Sequence, residues 1–156
     1  MIAPLLTVRI NRRAIAAVVL QHEEAVVADG RHLSSRTDRA VPSAVRYVNR
    51  LIELIQPSAV VLDAPATQHP STTRLIVDAL EALGRERHLP LVRVVTSELL
   101  TAYGNPPIET REELREIVTG FWPEVDRARG SIKRFVIEAA ATALFSDCRR
   151  ALEPAA

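Results

Sequence analysis

Two acidic residues stand out because each lies in an otherwise apolar stretch. Asp63 follows the apolar run 59–62 in SAVVLDAPATQHPS, which turns polar and proline-rich immediately afterwards. Glu138 lies in FVIEAAATALF, where Thr142 is the only other residue that is not apolar. A carboxylate in such a setting is costly unless it is paired, protonated or bound to a cation. Both acids are therefore candidate metal ligands. The structural alternatives are a buried ion pair with an arginine, emergence of Glu138 at a local surface, or capping of a turn by Asp63.

Oxygen ligands from separate elements suit a hard divalent cation, so the predicted cofactor is Mg²⁺, with Mn²⁺ as a possible substitute. An acid at the carboxyl end of a parallel strand lies at the edge of the sheet where α/β proteins usually place their sites. Two such ions can cleave a phosphodiester, because one activates water while the other stabilises the leaving oxygen. The pattern therefore favours metal-dependent chemistry on nucleic acid.

The apolar pattern predicts an α/β protein with a five-stranded sheet. Short apolar runs predict three antiparallel strands and two later parallel ones, at residues 5–10, 14–20, 25–33, 59–62 and 91–95. A polar loop is expected at 34–40. Helical spacing and capping residues predict five helices. They run from Pro42 to before Pro57, from a cap at Ser71, Thr72 or Thr73 to about His88, from Thr96 to about Gly104, from Thr110 to Phe121 and from Ser131 toward Leu152. Right-handed crossovers then give a mixed sheet with helices on both faces, a ribonuclease H-like architecture in a single domain spanning residues 1–156.

The basic residues are unusual in kind, because nineteen of the twenty are arginine and only Lys133 is lysine. The planar guanidinium favours phosphate and carboxylate recognition, although a genome that prefers arginine codons would give the same bias. One local cluster comprises Arg31, Arg36 and Arg39, which are predicted to lie in one loop. The candidate nucleic-acid-binding residues are Arg9, Arg12, Arg13, Arg36, Arg127, Arg129, Lys133 and Arg134.

Composition excludes several classes of protein. No apolar run approaches the roughly 20 residues of a membrane span, and the N-terminal stretch lacks the features of a secretory signal. Cys148 is the only cysteine, which excludes a disulfide framework and favours a reducing, cytoplasmic location. The four histidines lack metal-ligand spacing, although His69, the nearest to Asp63, could carry a proton.

Three segments carry a family resemblance: AVVLDAP, STTRLIVDALEALGRERHLPLVRVVTSELLTAYG and EAAATAL. In this order they resemble the RuvC-type Holliday junction resolvases, to which the pre-16S ribosomal RNA nucleases are related. The resemblance implies a two-fold homodimer that acts on branched DNA in recombination, with four acids holding two magnesium ions. It aligns Asp63 with the acid of the fourth strand and Glu138 with the second acid of a pair on the last helix.

The sequence departs from this pattern at the other two acids. In VRINRR, where the family has a first-strand aspartate, Asn11 is the nearest chemical relative and offers one neutral carbonyl oxygen. Three residues before Glu138 stands Phe135, which cannot bind a metal. Glu98 could contribute a further acid if its helix turns it inward.

Three hypotheses remain open. In the first, the chain is a magnesium-dependent endonuclease that acts on branched or structured nucleic acid, with Asp63 and Glu138 as metal ligands and Asn11 and Glu98 assisting. Alternatively, it is a nucleic-acid-binding pseudoenzyme that has lost turnover, or a dimeric interaction module whose acids neutralise buried arginines. DNA and RNA are both candidate substrates.

Overall fold

The computed structural model describes residues 4–22, 24–64, 71–94, 111–128 and 130–152. The strands are β1 (Leu5–Ile10), β2 (Ala14–Gln21), β3 (Glu24–His32), β4 (Ala59–Asp63) and β5 (Leu91–Val94). The helices are α1 (Thr37–Ile55), α2 (Thr72–Glu86), α3 (Arg111–Phe121) and α4 (Ile132–Leu152), with a 3₁₀ turn at Pro123–Arg127 before α4.

The five strands form one mixed sheet in the order β3-β2-β1-β4-β5. Neighbours β3, β2 and β1 are antiparallel, whereas β4 pairs parallel to both β1 and β5. The α1 and α2 helices return the chain between parallel strands, as such connections require. The predicted α/β fold, with three antiparallel strands followed by two parallel ones, is confirmed.

Strand alternation gives the sheet two covered faces. On β1, Leu6, Val8 and Ile10 belong to the core beneath α1 and α2. The opposite face includes Leu5 and lies against α3, the 3₁₀ turn and α4. Helices on both faces were predicted from the sequence, and the structure confirms this arrangement.

The first helix begins earlier than the sequence predicted. The expected loop 34–40 ends at Arg36, and α1 starts at Thr37, so Pro42 lies inside the helix. A proline there removes one helical hydrogen bond, but the apolar face of α1, with Ala44, Val48 and others buried on the sheet, outweighs this loss. Strand β4 also extends to include Asp63. The predicted helix 96–104 and the start of the predicted helix at Thr110 lie outside the described residues.

Close packing fixes α4 on the sheet. A Cβ atom at Gly30 of β3 would lie 2.9 Å from Ile132 Cγ1 and 3.1 Å from Val136 Cγ2, so glycine permits this approach. Near the start of α4, Ser131 Oγ lies 2.9 Å from His32 Nε2 at the end of β3.

Among the described residues, no helix combines the length and the hydropathy that crossing a membrane demands.

Candidate functional site

The site is built first by the pairing of β1 with β4. These parallel neighbours place Arg9 directly opposite Asp63. Their neighbours along the strands, Val8 and Leu62, point to the core under α1 and α2. By alternation, Arg9 and Asp63 therefore share the face that α4 covers, at the carboxyl ends of both strands.

Helix α4 adds two polar side chains to this face. Glu138 and Thr142 lie four residues apart, which places them on one side of the helix. Thr142 is fully buried, and the Glu138 side chain is 17% exposed. The predicted buried acid on the last helix therefore reaches solvent only in part.

These side chains form one connected cluster centred on Arg9. Arg9 Nη1 donates to Asp63 Oδ2 at 2.5 Å, and Arg9 Nε donates to Glu138 Oε2 at 3.0 Å. Thr142 Oγ1 lies 2.6 Å from the same Asp63 oxygen and 3.1 Å from the Glu138 carbonyl oxygen. At the outer edge, Arg134 Nε is 3.5 Å from Glu138 Oε1. We call Arg9, Asp63, Glu138, Thr142 and Arg134 the arginine–carboxylate cluster.

Apart from Arg134, whose side chain is 51% exposed, the cluster is largely screened from water. The Asp63 side chain is 2% exposed and that of Arg9 is 22% exposed. Ionised groups at such depth require partners, and the fork of guanidinium donors supplies them to two carboxylates at once. Because two guanidinium groups face two carboxylates, the cluster carries no net charge.

The side chains of the cluster do not fit a pair of divalent cations. Magnesium affinity depends on several carboxylate or carbonyl oxygens around a hydrated ion. Here a guanidinium lies between the two carboxylates, and no group of three or more histidine, cysteine or acidic side chains suited to a metal occurs in the described part of the chain. A cation could approach these acids only if Arg9 moved away.

The predicted site residues therefore have different outcomes. Asp63 and Glu138, 75 residues apart in sequence, do converge on one point. Asn11 is used elsewhere, because its Oδ1 accepts the N–H groups of Arg13 and Ala14, each at 2.8 Å, and so shapes the turn between β1 and β2. Glu98, His69 and Arg129 lie outside the described residues.

Sequence reasoning missed the central role of Arg9, which was expected to contact nucleic acid. The available signal was the alternation in LLTVRI, which places Arg9 on the face opposite Val8 and Ile10. The partner of Arg9 depends on the register between β1 and β4, and a shift of one residue would turn its side chain away from Asp63.

Other arginines gather at the end of the sheet that contains this cluster. The β1–β2 turn and the end of β3 meet there, since Leu33 N donates to Arg13 O at 2.8 Å. The first turns of α1 and α2 meet there as well, through the Thr37 and Thr72 hydroxyls, 2.5 Å apart. We call the exposed arginines of these segments the basic end: Arg12, Arg13, Arg31, Arg36, Arg39 and Arg74.

Several predicted phosphate-binding residues have protein partners. Arg36 forms two hydrogen bonds with Asp38, and Arg31 lies over the Tyr47 ring, 5.2 Å from its centroid. Lys133 lies 2.8 Å from Asp126 Oδ1, which also accepts from Arg115.

The pKa of Asp126 is lowered by its hydrogen bonds with Lys133, and to a smaller extent by those with Arg115.

Other predicted phosphate-binding residues are exposed to solvent. Arg12 and Arg13 are the exposed pair closest in sequence to Arg9, and Arg127 is exposed on the 3₁₀ turn.

No protein-family model and no curated protein matches the sequence. Solved structures do match. RuvC from Thermus thermophilus is 13% identical, with a TM-score of 0.72 over 94% of this chain and 96% of that chain. The same protein in complex with Holliday junction substrate gives a TM-score of 0.71 at the same identity and coverage. The fowlpox virus resolvase, solved with Holliday junction DNA, is 11% identical, with a TM-score of 0.54 over 97% of this chain and 99% of that chain.

These likenesses define the class of fold. The sheet order, the helices on both faces and the coverage of whole chains identify a ribonuclease H-like fold. Within that class, the chain has the RuvC-like fold of Holliday junction resolvases. The predicted family resemblance is confirmed at the level of the fold.

Proposed function

We propose that this chain binds branched or structured nucleic acid at its basic end and does not cleave it. The solved neighbours that share its fold include resolvases bound to Holliday junctions, which makes branched DNA the first substrate class to test. The exposed arginines of the basic end suit phosphate contacts, since guanidinium groups bind phosphate oxygens through paired donors.

The observation that carries the second half of the proposal is the position of Arg9. Metal-dependent phosphodiester cleavage requires divalent cations beside the scissile phosphate. In this chain the two converging carboxylates, Asp63 and Glu138, are already paired with the guanidinium groups of Arg9 and Arg134. The charge that would attract a cation is therefore balanced within the protein.

A second candidate function is a metal-dependent endonuclease in which Asp63 and Glu138 bind Mg²⁺ or Mn²⁺. The observation that favours it is that both acids pair with the same guanidinium, that of Arg9. The geometry that brings them to Arg9 would also bring them to one metal ion. This function requires Arg9 to leave the two carboxylates when substrate and metal arrive. Glu98 could then act as an additional ligand.

Binding is tested by fluorescence anisotropy with a labelled four-way DNA junction, a structured RNA and a linear duplex, in chelator and in Mg²⁺. We expect preference for the branched DNA, affinity that falls steeply with salt and no requirement for Mg²⁺. Reversing both Arg12 and Arg13 to Glu should weaken binding by about tenfold or more. The matched control reverses Arg50 and Arg85, which are exposed near the other ends of α1 and α2. Equal losses in both double variants would contradict binding at the basic end.

Cleavage is tested on the same junction with Mg²⁺ or Mn²⁺ and end-labelled strands. The proposal predicts bound but intact DNA. Cleavage that Asp63→Asn abolishes would select the endonuclease instead. If none of the three probes binds at low salt, the result would favour the interaction module.

We also propose that the protein acts as a homodimer. Two basic ends related by two-fold symmetry would match the symmetry of a four-way junction. Light scattering of the free protein and of the complex should then give two chains per junction. One chain per junction would contradict the dimer without affecting the binding proposal.

A further inference from the structure

The arginine–carboxylate cluster places a fixed positive charge where two acidic side chains from different elements meet. Asp63 is contributed by β4, Glu138 by α4 and the guanidinium by Arg9 of β1. The Arg9 group donates through Nη1 to one acid and through Nε to the other. Such bridging of carboxylates is also what a divalent cation does in an oxygen-ligand site.

We propose that the Arg9 guanidinium is a tethered substitute for a metal ion, and that Arg9→Asp would convert the cluster into a divalent-cation site. The structure thus contains two carboxylates that could hold a divalent cation, together with the guanidinium that lies between them. This inference concerns the protein alone and does not depend on nucleic-acid binding.

The backbone geometry supports this conversion. Position 9 is opposite Asp63 in the β1–β4 register, and the side chains of Arg9 and Asp63 both form hydrogen bonds with residues of α4. Neighbouring strands lie about 4.8 Å apart, a spacing that two short acidic side chains can span through a shared ion. A carboxylate at position 9 would therefore be aimed at the same point as Asp63 and Glu138.

The net charge of the cluster decides whether it binds a divalent cation. With Arg9 present, the two positive and two negative charges of the cluster balance, so a divalent cation would gain little binding free energy there. Removing the Arg9 charge and adding a carboxylate brings the summed charge of these four side chains to −2, with Arg134 still paired to Glu138. Since like charges at short range repel strongly in a partly buried site, cation binding would relieve that repulsion.

The experiment is a Mn²⁺ titration followed by electron paramagnetic resonance, with no nucleic acid present. Arg9→Asp should bind Mn²⁺ about tenfold or more tightly than the unsubstituted chain. Adding Asp63→Asn to this variant should remove the gain. Arg12→Asp is the matched control, because it makes the same charge change on an exposed residue three positions away. The melting temperature of Arg9→Asp should also rise with Mn²⁺, since a ligand that binds the folded state stabilises it.

Two results would overturn the inference. One is a folded Arg9→Asp variant, verified by circular dichroism, that binds Mn²⁺ no better than Arg12→Asp. The other is tight Mn²⁺ binding by the unsubstituted chain that Asp63→Asn abolishes, because the ion would then displace Arg9 unaided.

A second measurement covers the case in which Arg9→Asp folds neither with nor without Mn²⁺. In the unsubstituted chain, the NMR signal of the Arg9 Nε–H should stay unchanged in millimolar Mg²⁺, because the guanidinium remains bound to Glu138. A shift of that signal to an unpaired position would contradict the role of Arg9 as a tethered cation. Nucleic-acid binding could fail in every assay above without changing either result.

Discussion

The two faces of the sheet differ most at neighbouring residues of the same strands. On β1 and β4, Val8 and Leu62 are fully buried in an apolar core beneath α1 and α2. One residue along each strand, Arg9 and Asp63 turn to the other face and form ion pairs beneath α4. The same strands therefore support an apolar core on one face and a charged cluster on the other.

This difference separates what holds the fold from what is built upon it. An apolar core contributes to stability through the area that it removes from water, whereas a buried ion pair often does no better than apolar residues of similar size. The charged cluster therefore adds less to the stability of the fold than its burial suggests. Its chemistry is better explained by the position it occupies, at the carboxyl ends of parallel strands.

Leu62→Ala should have the largest effect on stability. Leu62 is fully buried, and its truncation leaves a cavity on the apolar face, so the free energy of unfolding should fall by about 3 to 4 kcal/mol. Urea unfolding followed by circular dichroism measures the loss. The control is Leu54→Ala, at a leucine that is 72% exposed, which should change stability little. Similar losses at both leucines would show that the apolar face is not packed as described.

Arg9→Ala should have the next largest effect, about 3 kcal/mol, because it leaves Asp63 buried without its main counterion. The same urea unfolding experiment applies, with exposed Arg12→Ala as the control. A double-mutant cycle sharpens the comparison. Asp63→Asn should lower the free energy of unfolding much less in the Arg9→Ala background than alone, because the Arg9–Asp63 ion pair is already absent there. Additive losses would mean that Arg9 and Asp63 do not interact.

Thr142→Val should lower the free energy of unfolding by about 1.5 kcal/mol, because valine keeps the shape but cannot donate to the Asp63 carboxylate. Thr142→Ser retains the hydroxyl and should recover most of this loss. If the serine variant is as unstable as the valine variant, packing rather than the hydrogen bond accounts for the effect.

Thr7→Val should have the smallest effect and the opposite sign. Thr7 Oγ1 is the buried side-chain polar atom without a hydrogen-bond partner among the described residues, and it lies two residues before Arg9 on the same strand face. Replacing it with an apolar group of equal shape should raise the free energy of unfolding by about 1 kcal/mol. Thermal unfolding compared with Thr7→Ser, which keeps the hydroxyl, tests this. Destabilisation by valine would indicate that the hydroxyl has a partner.

The fold could be predicted because its signals are local. The periods of the strands and helices, the candidate caps at Ser71, Thr72 and Thr73, and the order of elements lead directly to the mixed sheet. The Ser71 side chain does accept from Arg74 N, as a cap requires. The start of α1 was wrong because burial of an apolar helix face tolerated Pro42 inside the helix.

The candidate site was predictable only in part. Asp63 and Glu138 were detectable as single acids in apolar stretches, and the fold explains why they meet. An arginine partner was among the alternatives that the sequence offered, and ion pairing with Arg9 is what the structure contains. Which arginine would pair was not detectable, because Arg9 reaches both acids through a strand register and a helix packing that no local pattern encodes. In the first strand, Asn11 was predicted because it is chemically the nearest residue to an aspartate, whereas the residue opposite Asp63 is Arg9.

The most direct test of the central claim is a crystal structure of the unsubstituted protein soaked in Mn²⁺, with the ion located by its anomalous scattering. We predict that Arg9 stays bonded to Asp63 and Glu138 and that no anomalous peak lies between those carboxylates. A manganese ion bound to both acids, with Arg9 displaced, would contradict the account and support a metal-dependent nuclease.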